Sequence, residues 1–372
     1  MHLIFVILIF ALIYVLQKRL YFRFWRKGLS TSVRFSREYM DCGEEAELSL
    51  EIVNDKLLPL PVFHLKFSVD RALRFHDMEN SVVTDLYHRN DAFSLLGYQK
   101  VRRKIAFTSE ERGFFRVESV NMMVRDFFLT ATFAETKKED TGIYVFPRKL
   151  DRTKIAEIMR GQLGERAVRH SILEDPLSFR GLREYQPQDP FRSINMKQSA
   201  RTGEWKVNLR EATEDAELRI LLNLDTEHMI RRDRMLEESI SLCSTLAEYF
   251  LSKKERVSVW SNGRGADEKQ LSVPGVGAEL SHGITIDKYL AEIRTSAGKD
   301  VFLDRLEREI SGVNKSVLYL IISPYFKEDL LEHIDLLRRD AEVQMIVPYY
   351  RKMGLPICRP YLTGWEVDEY AE

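Results

Sequence analysis

The sequence predicts an α+β multidomain protein: an N-terminal membrane helix, then an antiparallel β-sandwich, then an open α/β sheet. Three observations lead to this prediction. An uncharged apolar run opens the chain, a long segment of alternating polar and apolar residues follows, and the C-terminal part alternates apolar strands with amphipathic helices. The length of 372 residues agrees with about two to three domains.

Residues 1–27 are predicted to form a transmembrane anchor with a basic flank. The run Leu3–Leu16 has fourteen residues and no charge. As a helix it spans about 21 Å of a hydrocarbon core about 30 Å thick. Aromatic residues and snorkelling cations after the run extend it to the membrane interface. Because positive charge favours the cytoplasmic side, we expect a single-pass protein of the cell membrane whose bulk is cytoplasmic. The cations are Lys18, Arg19, Arg23, Arg26 and Lys27.

Residues 28–147 are predicted to form an immunoglobulin-like β-sandwich. Polar and apolar residues alternate in short segments separated by turn residues, which is typical of about seven antiparallel strands. Pro59 and Pro61 should lie at an edge or a turn, because proline cannot donate to a strand ladder. The clearest segments are 45–53, 61–69, 102–108, 114–124 and 142–146.

Residues 218–372 are predicted to form an α/β domain, which a polar, arginine-rich segment at 148–217 joins to the sandwich. Leu218–Leu224 and Val317–Ile322 are almost continuously apolar, as strands covered on both faces should be. Strands that alternate with helices predict an open, mostly parallel sheet. The other expected elements are strands at 257–260 and 343–347 and helices at 236–250, 284–294, 301–310 and 326–339.

Charge, cysteine content and motifs exclude several function classes. The 56 Lys and Arg residues balance 57 Asp and Glu residues, whereas nucleic-acid binders usually carry a basic excess. Cys42, Cys243 and Cys358 form no C-x-x-C pair, which disfavours a disulfide framework or zinc site and agrees with a reducing compartment. The sequence has no G-x-x-x-x-G-K-[ST], G-x-S-x-G or H-E-x-x-H motif, so we predict a protein that is not an enzyme and has no cofactor.

The joining segment carries a signature. It resembles the hallmark of the bacterial family called domain of unknown function 58, which is Phe-x-Gly-x-Arg-x-Tyr, Pro-Gly-Asp, Arg-x-Ile-Asp-Trp and Ser-Ala-Arg. This sequence departs from it at Gln188, which replaces a glycine, and at Asn195 and Met196, which replace Asp-Trp. The matching residues are Phe179, Gly181, Arg183, Tyr185, Pro187, Asp189, Arg192, Ile194, Ser199, Ala200 and Arg201.

The resemblance extends to the N-terminal β-region, where 112–115, 125–127 and 145–147 are similar to that family. It implies that residues 218–372 form a von Willebrand factor A-like domain. It also implies partners, because genes of the family often neighbour those for MoxR-type AAA+ ATPases and transglutaminase-like membrane proteins. We therefore expect a membrane-anchored cytoplasmic scaffold or adaptor that acts in envelope or protein-complex assembly.

A metal site is a second hypothesis. Metal-binding A domains use Asp-x-Ser-x-Ser after their first strand, and here Asp225 is in place while Glu227 and Met229 stand at the serines. A thioether is no ligand for magnesium. Asp225, Glu227 and Thr285 are the candidate ligands of a degenerate site, and the alternative is that Asp225 caps the next element. A third hypothesis is an unrecognised enzyme with Asp189 or Glu227 as its general base.

Two interpretations of the signature arginines stay open. Arg183, Arg192 and Arg201 could bind an anion or partner, because forked guanidinium groups suit carboxylates and phosphates. The balanced local charge favours a structural clamp onto the α/β domain instead, since buried guanidinium groups need partners. The expected partners are Glu184, Asp189, Glu211, Glu214, Asp215 and Glu217.

Partner docking is predicted at the carboxyl edge of the parallel sheet. Ligands approach open α/β sheets beyond the carboxyl ends of their strands. Asp225, Glu227, Asn262 and Ser323 follow three apolar strands, and we expect them in exposed loops at this edge.

Overall fold

The computed structural model describes residues 2–77, 79, 81–161, 174–186, 194–212, 217–225, 232–266, 271–296, 298–314, 316–351 and 359–367. The chain divides into two compact units, Met1–Arg148 and Lys149–Glu372. The boundary falls one residue after the predicted end of the sandwich, and the joining segment belongs to the second unit.

Helix α1 (His2–Phe24) opens the first unit. Its stretch Leu3–Phe24 has 22 residues, within which an 18-residue window has a mean hydropathy of 2.2. At 1.5 Å per residue the stretch is about 33 Å long. It is therefore long and apolar enough to cross a bilayer. The helix exceeds the fourteen-residue apolar run because its last two turns continue through the basic and aromatic flank.

Two sheets form the sandwich of the first unit. The four-stranded sheet has the order β1-β3-β8-β5 and the six-stranded sheet the order β2-β10-β9-β4-β7-β6. The alternation predicted for the long strands is confirmed, since one face of each packs into the core between the sheets. The strands are β1 (Leu29–Phe35), β2 (Tyr39–Asp41), β3 (Glu45–Asn54), β4 (Leu60–Asp70), β5 (Arg74–Phe75), β6 (Ser81–Val83), β7 (Leu86–Leu95), β8 (Gln99–Thr108), β9 (Gly113–Arg125) and β10 (Thr132–Phe146).

Two details of the sandwich differ from the prediction. Strand β2 pairs with β10 in parallel, while the other pairs in these sheets are antiparallel. Pro59 lies in the connection between β3 and β4, in agreement with the predicted turn, but Pro61 is the second residue of β4, which is a central strand rather than an edge. Pro59 precedes the strand, and Pro61 falls where the register with β7 shifts between Leu60 and Phe63, so the missing N–H does not interrupt a regular ladder.

The second unit contains a five-stranded sheet in the order β14-β13-β17-β18-β19, in which every pair is parallel. Its described elements are α2 (Arg152–Gly161), β11 (Glu174–Glu184), α3 (Met196–Thr202), β12 (Lys206–Ala212), β13 (Glu217–Leu222), α4 (Arg232–Ser252), β14 (Arg256–Ser261), β15 (Gly263–Arg264), α5 (Leu280–Glu292), β16 (Thr295–Ser296), α6 (Lys299–Ser311), β17 (Val317–Ile322), α7 (Glu328–Leu337), β18 (Glu342–Tyr350) and β19 (Leu362–Val367).

Helices cover both faces of this sheet, as the apolar strands predicted. Leu318 and Leu320 of β17 pack with helices α4 and α5, whereas Tyr319 and Ile321 pack with α6 and α7. If the five strands are numbered in chain order, their order across the sheet is 2-1-3-4-5. This is the flavodoxin-like order of doubly wound sheets. The predicted open parallel sheet is thus confirmed at the level of topology.

The start of the joining segment is fastened to the second unit by a buried ionic contact. Lys149 Nζ donates to Ser244 Oγ of α4 at 2.6 Å and to Asp287 Oδ2 of α5 at 2.7 Å. Ser244 Oγ also donates to Asp287 Oδ1 at 2.5 Å. Burial raises the pKa of Asp287, against the opposing effect of Lys149. Since a buried carboxylate without a partner is costly, this contact holds the segment on the two helices.

Candidate functional site at the carboxyl edge of the parallel sheet

The strand order reverses between β13 and β17. From β13 the chain passes through α4 to β14 on one side, and then through α5 and α6 to β17 on the other side of β13. Ligands of doubly wound sheets bind at the carboxyl ends of the strands at such a switch point. The residues that follow β13, β14 and β17 are therefore the candidate site.

Three polar side chains after these strands form one hydrogen-bonded cluster, which we call the strand-end network: Asn223, Asn262 and Ser323. Asn223 Nδ2 donates to Ser323 Oγ at 3.0 Å, and Asn262 Nδ2 donates to Asn223 Oδ1 at 2.9 Å. Asn223 Oδ1 also accepts the backbone N–H of Asp225 at 3.1 Å. Asn223 thus ties three strand ends together.

The other polar atoms of the strand-end network bind the surrounding backbone. Asn262 Oδ1 accepts the N–H of Leu224 at 2.9 Å, and Asn262 Nδ2 reaches the carbonyl of Gly298 at 3.0 Å. Ser323 Oγ donates to the carbonyl of Tyr325 at 2.6 Å. Satisfied buried amides of this kind rigidify the loops that carry them.

The prediction of exposed loops is wrong for two of the four docking candidates. Asn262 and Ser323 are 2% and 0% exposed, because their side chains are used to join the strand ends. They shape the edge and present no surface to a partner. Asp225 is half-buried three residues after the end of β13, and Glu227 lies outside the described residues. Further along the edge, Lys327 is exposed just after β17.

The metal hypothesis names Asp225, Glu227 and Thr285 as ligands, and the described residues do not bring such a set together. Thr285 is exposed on helix α5, which covers a face of the sheet, and so it does not lie in a loop at the carboxyl edge. Asn223 Oδ1 already accepts two N–H groups. Within the described part of the chain no three His, Cys, Asp or Glu side chains are grouped to hold a metal ion. Glu227, the remaining candidate ligand, lies outside the described residues, so the metal hypothesis stays a prediction.

The described signature residues lie in and beside a strand pair and the short helix that falls between its strands along the chain. In the antiparallel register of β11 and β12, Gly181 lies opposite Leu209 and Arg183 opposite Val207. Just after β11, the N–H of Tyr185 donates to the carbonyl of Trp205 at 2.9 Å. Asp189 and Arg192 lie outside the described residues.

Two signature positions have a local structural role. Asn195 caps helix α3, since its side-chain oxygen accepts the N–H of Gln198 at 3.0 Å. Asparagine is among the residues most favoured at the N-cap, so this side chain helps to start the helix. Ser199, which is buried, accepts the N–H of Lys206 at 2.8 Å and so ties α3 to β12.

The described residues test only part of the predicted clamp, because the side chains of Arg183 and Arg192 lie outside them. Arg201 is exposed at the end of α3, so it is not part of a buried clamp. Among the expected acids, Glu184 contacts Lys206 at 3.4 Å and Glu217 contacts Arg219 at 3.0 Å. The described fastening of the joining segment comes from Lys149, reinforced by an ion pair between Arg152 and Glu248.

Sequence reasoning missed Asn223 and Lys149. Asn223 lies within an apolar run that the pattern assigned to a strand, and a polar residue at the carboxyl end of such a run was the available signal. Lys149 and Asp287 are 138 positions apart, and nothing local in the sequence indicates that they pair.

Comparison with known proteins gives weak similarities. No family model and no curated protein sequence matches the chain. The CARDB domain of the PF1109 protein from Pyrococcus furiosus has 14% identity and a TM-score of 0.21, covering 32% of this chain and 89% of that domain. A non-cellulosomal cohesin from Archaeoglobus fulgidus has 13% identity and a TM-score of 0.20, covering 34% of this chain and 96% of the cohesin. Likenesses this weak assign no function.

Proposed function

We propose that this protein is a membrane-anchored scaffold or adaptor, with its bulk on the cytoplasmic side, whose α/β unit binds a protein partner at the carboxyl edge of its sheet. The observation that carries the anchoring is the surface of α1. Its apolar side chains lie open along the first turns, among them Leu3, Phe5 and Phe10 at 74%, 65% and 67% exposure. Contact between apolar surface and water is unfavourable by about 25 cal/mol per Å². Burial of α1 in a bilayer removes this contact.

The orientation follows from charge. The cations between Lys18 and Lys27 lie on the C-terminal side of the apolar run, and no acidic residue occurs before Glu38. The side of a membrane helix that is richer in Lys and Arg stays in the cytoplasm. The sandwich and the second unit follow that flank along the chain, so both lie on the cytoplasmic side.

Partner binding at the carboxyl edge is supported by the switch point and by the strand-end network, which makes the loops there a rigid platform. The resemblance of the joining segment supports the class of partner: a MoxR-type AAA+ ATPase, with a transglutaminase-like membrane protein as a second candidate. A scaffold role needs no catalytic motif.

Site-specific cross-linking tests the binding edge. p-Benzoylphenylalanine in place of Asp225 should give protein adducts on irradiation of native membranes, and mass spectrometry should identify an AAA+ ATPase among them when ATP is present. The control position is Lys253, exposed between α4 and β14 at the opposite, amino edge of the sheet. Adducts that are absent at 225, or equal at both positions, would contradict docking at the carboxyl edge.

A further inference from the structure

The turn between β9 and β10 exposes three consecutive large apolar side chains. Phe127, Phe128 and Leu129 are 60%, 46% and 50% exposed, and we call them the apolar tip. Single exposed apolar residues are common on protein surfaces, but a contiguous group marks a site that another apolar surface covers.

The turn is built to hold these side chains outward. Asp126 Oδ1 accepts the N–H groups of Thr130 at 2.6 Å and Ala131 at 2.8 Å, and Oδ2 accepts the hydroxyl of Thr130 at 2.9 Å. Leu129 has a φ of 60°, which is a strained conformation for a bulky residue. The buried carboxylate thus fixes the turn while the apolar tip stays in the open.

The β9–β10 hairpin lies along the anchor helix in one direction. Where β10 begins after the turn, Phe133 stacks on Trp25 with ring centroids 6.1 Å apart. Towards the turn, Asp126 Oδ2 accepts Gln17 Nε2 at 2.7 Å. At the tip itself, the ring of Phe128 lies 6.4 Å from that of Tyr14. The hairpin therefore rises beside α1 until its tip reaches the apolar run.

These contacts fix the depth of the tip relative to the charged flank. Tyr14 precedes Lys18, the first cation, by four residues, which is about 6 Å along a helix. Apolar side chains of proteins that lie in the membrane interface are buried about 5–10 Å deep. If the cations of α1 lie at the headgroups, the apolar tip lies in this zone.

Two neighbouring loops present apolar residues at the same end of the sandwich. In the six-stranded sheet Val62 lies opposite Arg125 and Leu60 opposite Leu95, so the loops before β4 and after β7 flank the tip. Their exposed members are Leu57, Leu96 and Tyr98 at 77%, 68% and 70% exposure.

We propose that the apolar tip inserts into the bilayer beside α1, so that the sandwich is seated on the membrane by its loops as well as tethered by the helix. This inference rests on the proposed membrane anchoring. Lipid is favoured over a protein as the occupant because the tip is continuous with the lipid-facing surface of α1. Arg125 is exposed next to the tip, and with the cations of the anchor it faces the phosphate groups of the same interface.

Photo-cross-linking of the full-length protein in phosphatidylcholine and phosphatidylglycerol nanodiscs tests the insertion. p-Benzoylphenylalanine replaces Phe127, Phe128, Tyr14 or Val82, one position per variant. Only variants with the melting temperature of the wild-type protein are used. Val82 is the matched control, since it is an exposed apolar residue (64%) near the other end of the sandwich. We expect lipid adducts at 127, 128 and 14, and none at 82.

The outcomes separate the inference from the proposed function. Lipid adducts at 14 without lipid adducts at 127 and 128 would leave the anchor in place and overturn the insertion. An absence of lipid adducts at 14 would overturn the anchor and the insertion together. Adducts from 127 and 128 to another protein in native membranes, in place of lipid, would make the tip a protein-binding surface and also overturn the insertion.

Discussion

At the scale of single residues, Asn223 organises the candidate site. It is 1% exposed, and its amide contacts Asn262, Ser323 and the backbone of Asp225. A buried amide that satisfies several partners specifies one arrangement of the strand ends, because any other leaves polar groups unpaired. The shape of the edge thus depends on a residue that does not itself reach its surface.

Asn223→Ala should lower the free energy of unfolding of the second unit by about 1–3 kcal/mol, because it removes three hydrogen bonds and leaves buried polar groups with fewer partners. Urea titration of the full-length protein in detergent measures the change. The control is Thr285→Ala, an exposed substitution on α5 that should stay within about 0.5 kcal/mol of wild type. Equal midpoints for Asn223→Ala and wild type would contradict the role of the strand-end network.

At the scale of elements, the β9–β10 hairpin and helix α1 form one substructure in which Asp126 is the link. Its carboxylate holds the turn and accepts the side chain of Gln17. Burial would raise the pKa of Asp126, but the hydrogen bonds from Ala131, Gln17 and Thr130 outweigh it and hold the pKa below the ordinary value of 3.8. The ionised form is therefore the one that the folded structure stabilises.

Asp126→Asn should destabilise the first unit by about 1–3 kcal/mol at pH 7. The NH₂ group that replaces Oδ2 cannot accept the hydrogen bonds that Gln17 and Thr130 donate to it. A lowered carboxyl pKa contributes stability above its unfolded value and loses it as the pH falls through the folded value. The difference in unfolding free energy between Asp126→Asn and the wild-type protein should therefore shrink as the pH falls below 3.8, the ordinary carboxyl pKa. Thermal unfolding between pH 7 and pH 3 measures it, with the exposed Asp140→Asn as control. A difference that is constant with pH would show that the carboxylate charge is not involved.

Element prediction from sequence worked where the buried positions of a long strand are apolar. Strand β7 has ten residues but was not predictable, because two of its buried positions hold the ion pair of Arg89 and Asp91. Strands β3, β4 and β9 were predictable because alternation persists over ten or more residues. Strand β19, with Thr363 and Gly364 in its middle, has no apolar run and was missed. Strands β2, β5 and β6 have two or three residues, which is too few for a periodic signal.

At the scale of the whole molecule, the chain consists of a β-unit that begins with a long apolar helix and an α/β unit. Their order and boundary were predictable, because the hydrophobic period changes along the chain. The arrangement of the side chains in the candidate site was not predictable, because hydrogen bonds such as that between Asn223 and Ser323 join residues 100 positions apart. The fold was therefore more accessible to sequence reasoning than the roles of Asn262, Ser323 and Arg201.

The central claim, a single-pass anchor with both units in the cytoplasm, is tested most directly by topology reporters fused after Glu372. A green fluorescent protein at this position should fluoresce, and an alkaline phosphatase should be inactive, because the first folds in the cytoplasm and the second matures outside it. Replacing Lys18, Arg19 and Arg23 with glutamate should weaken this preference, since the cations set the orientation. An active phosphatase together with a dark fluorescent fusion in the wild-type protein would contradict the account.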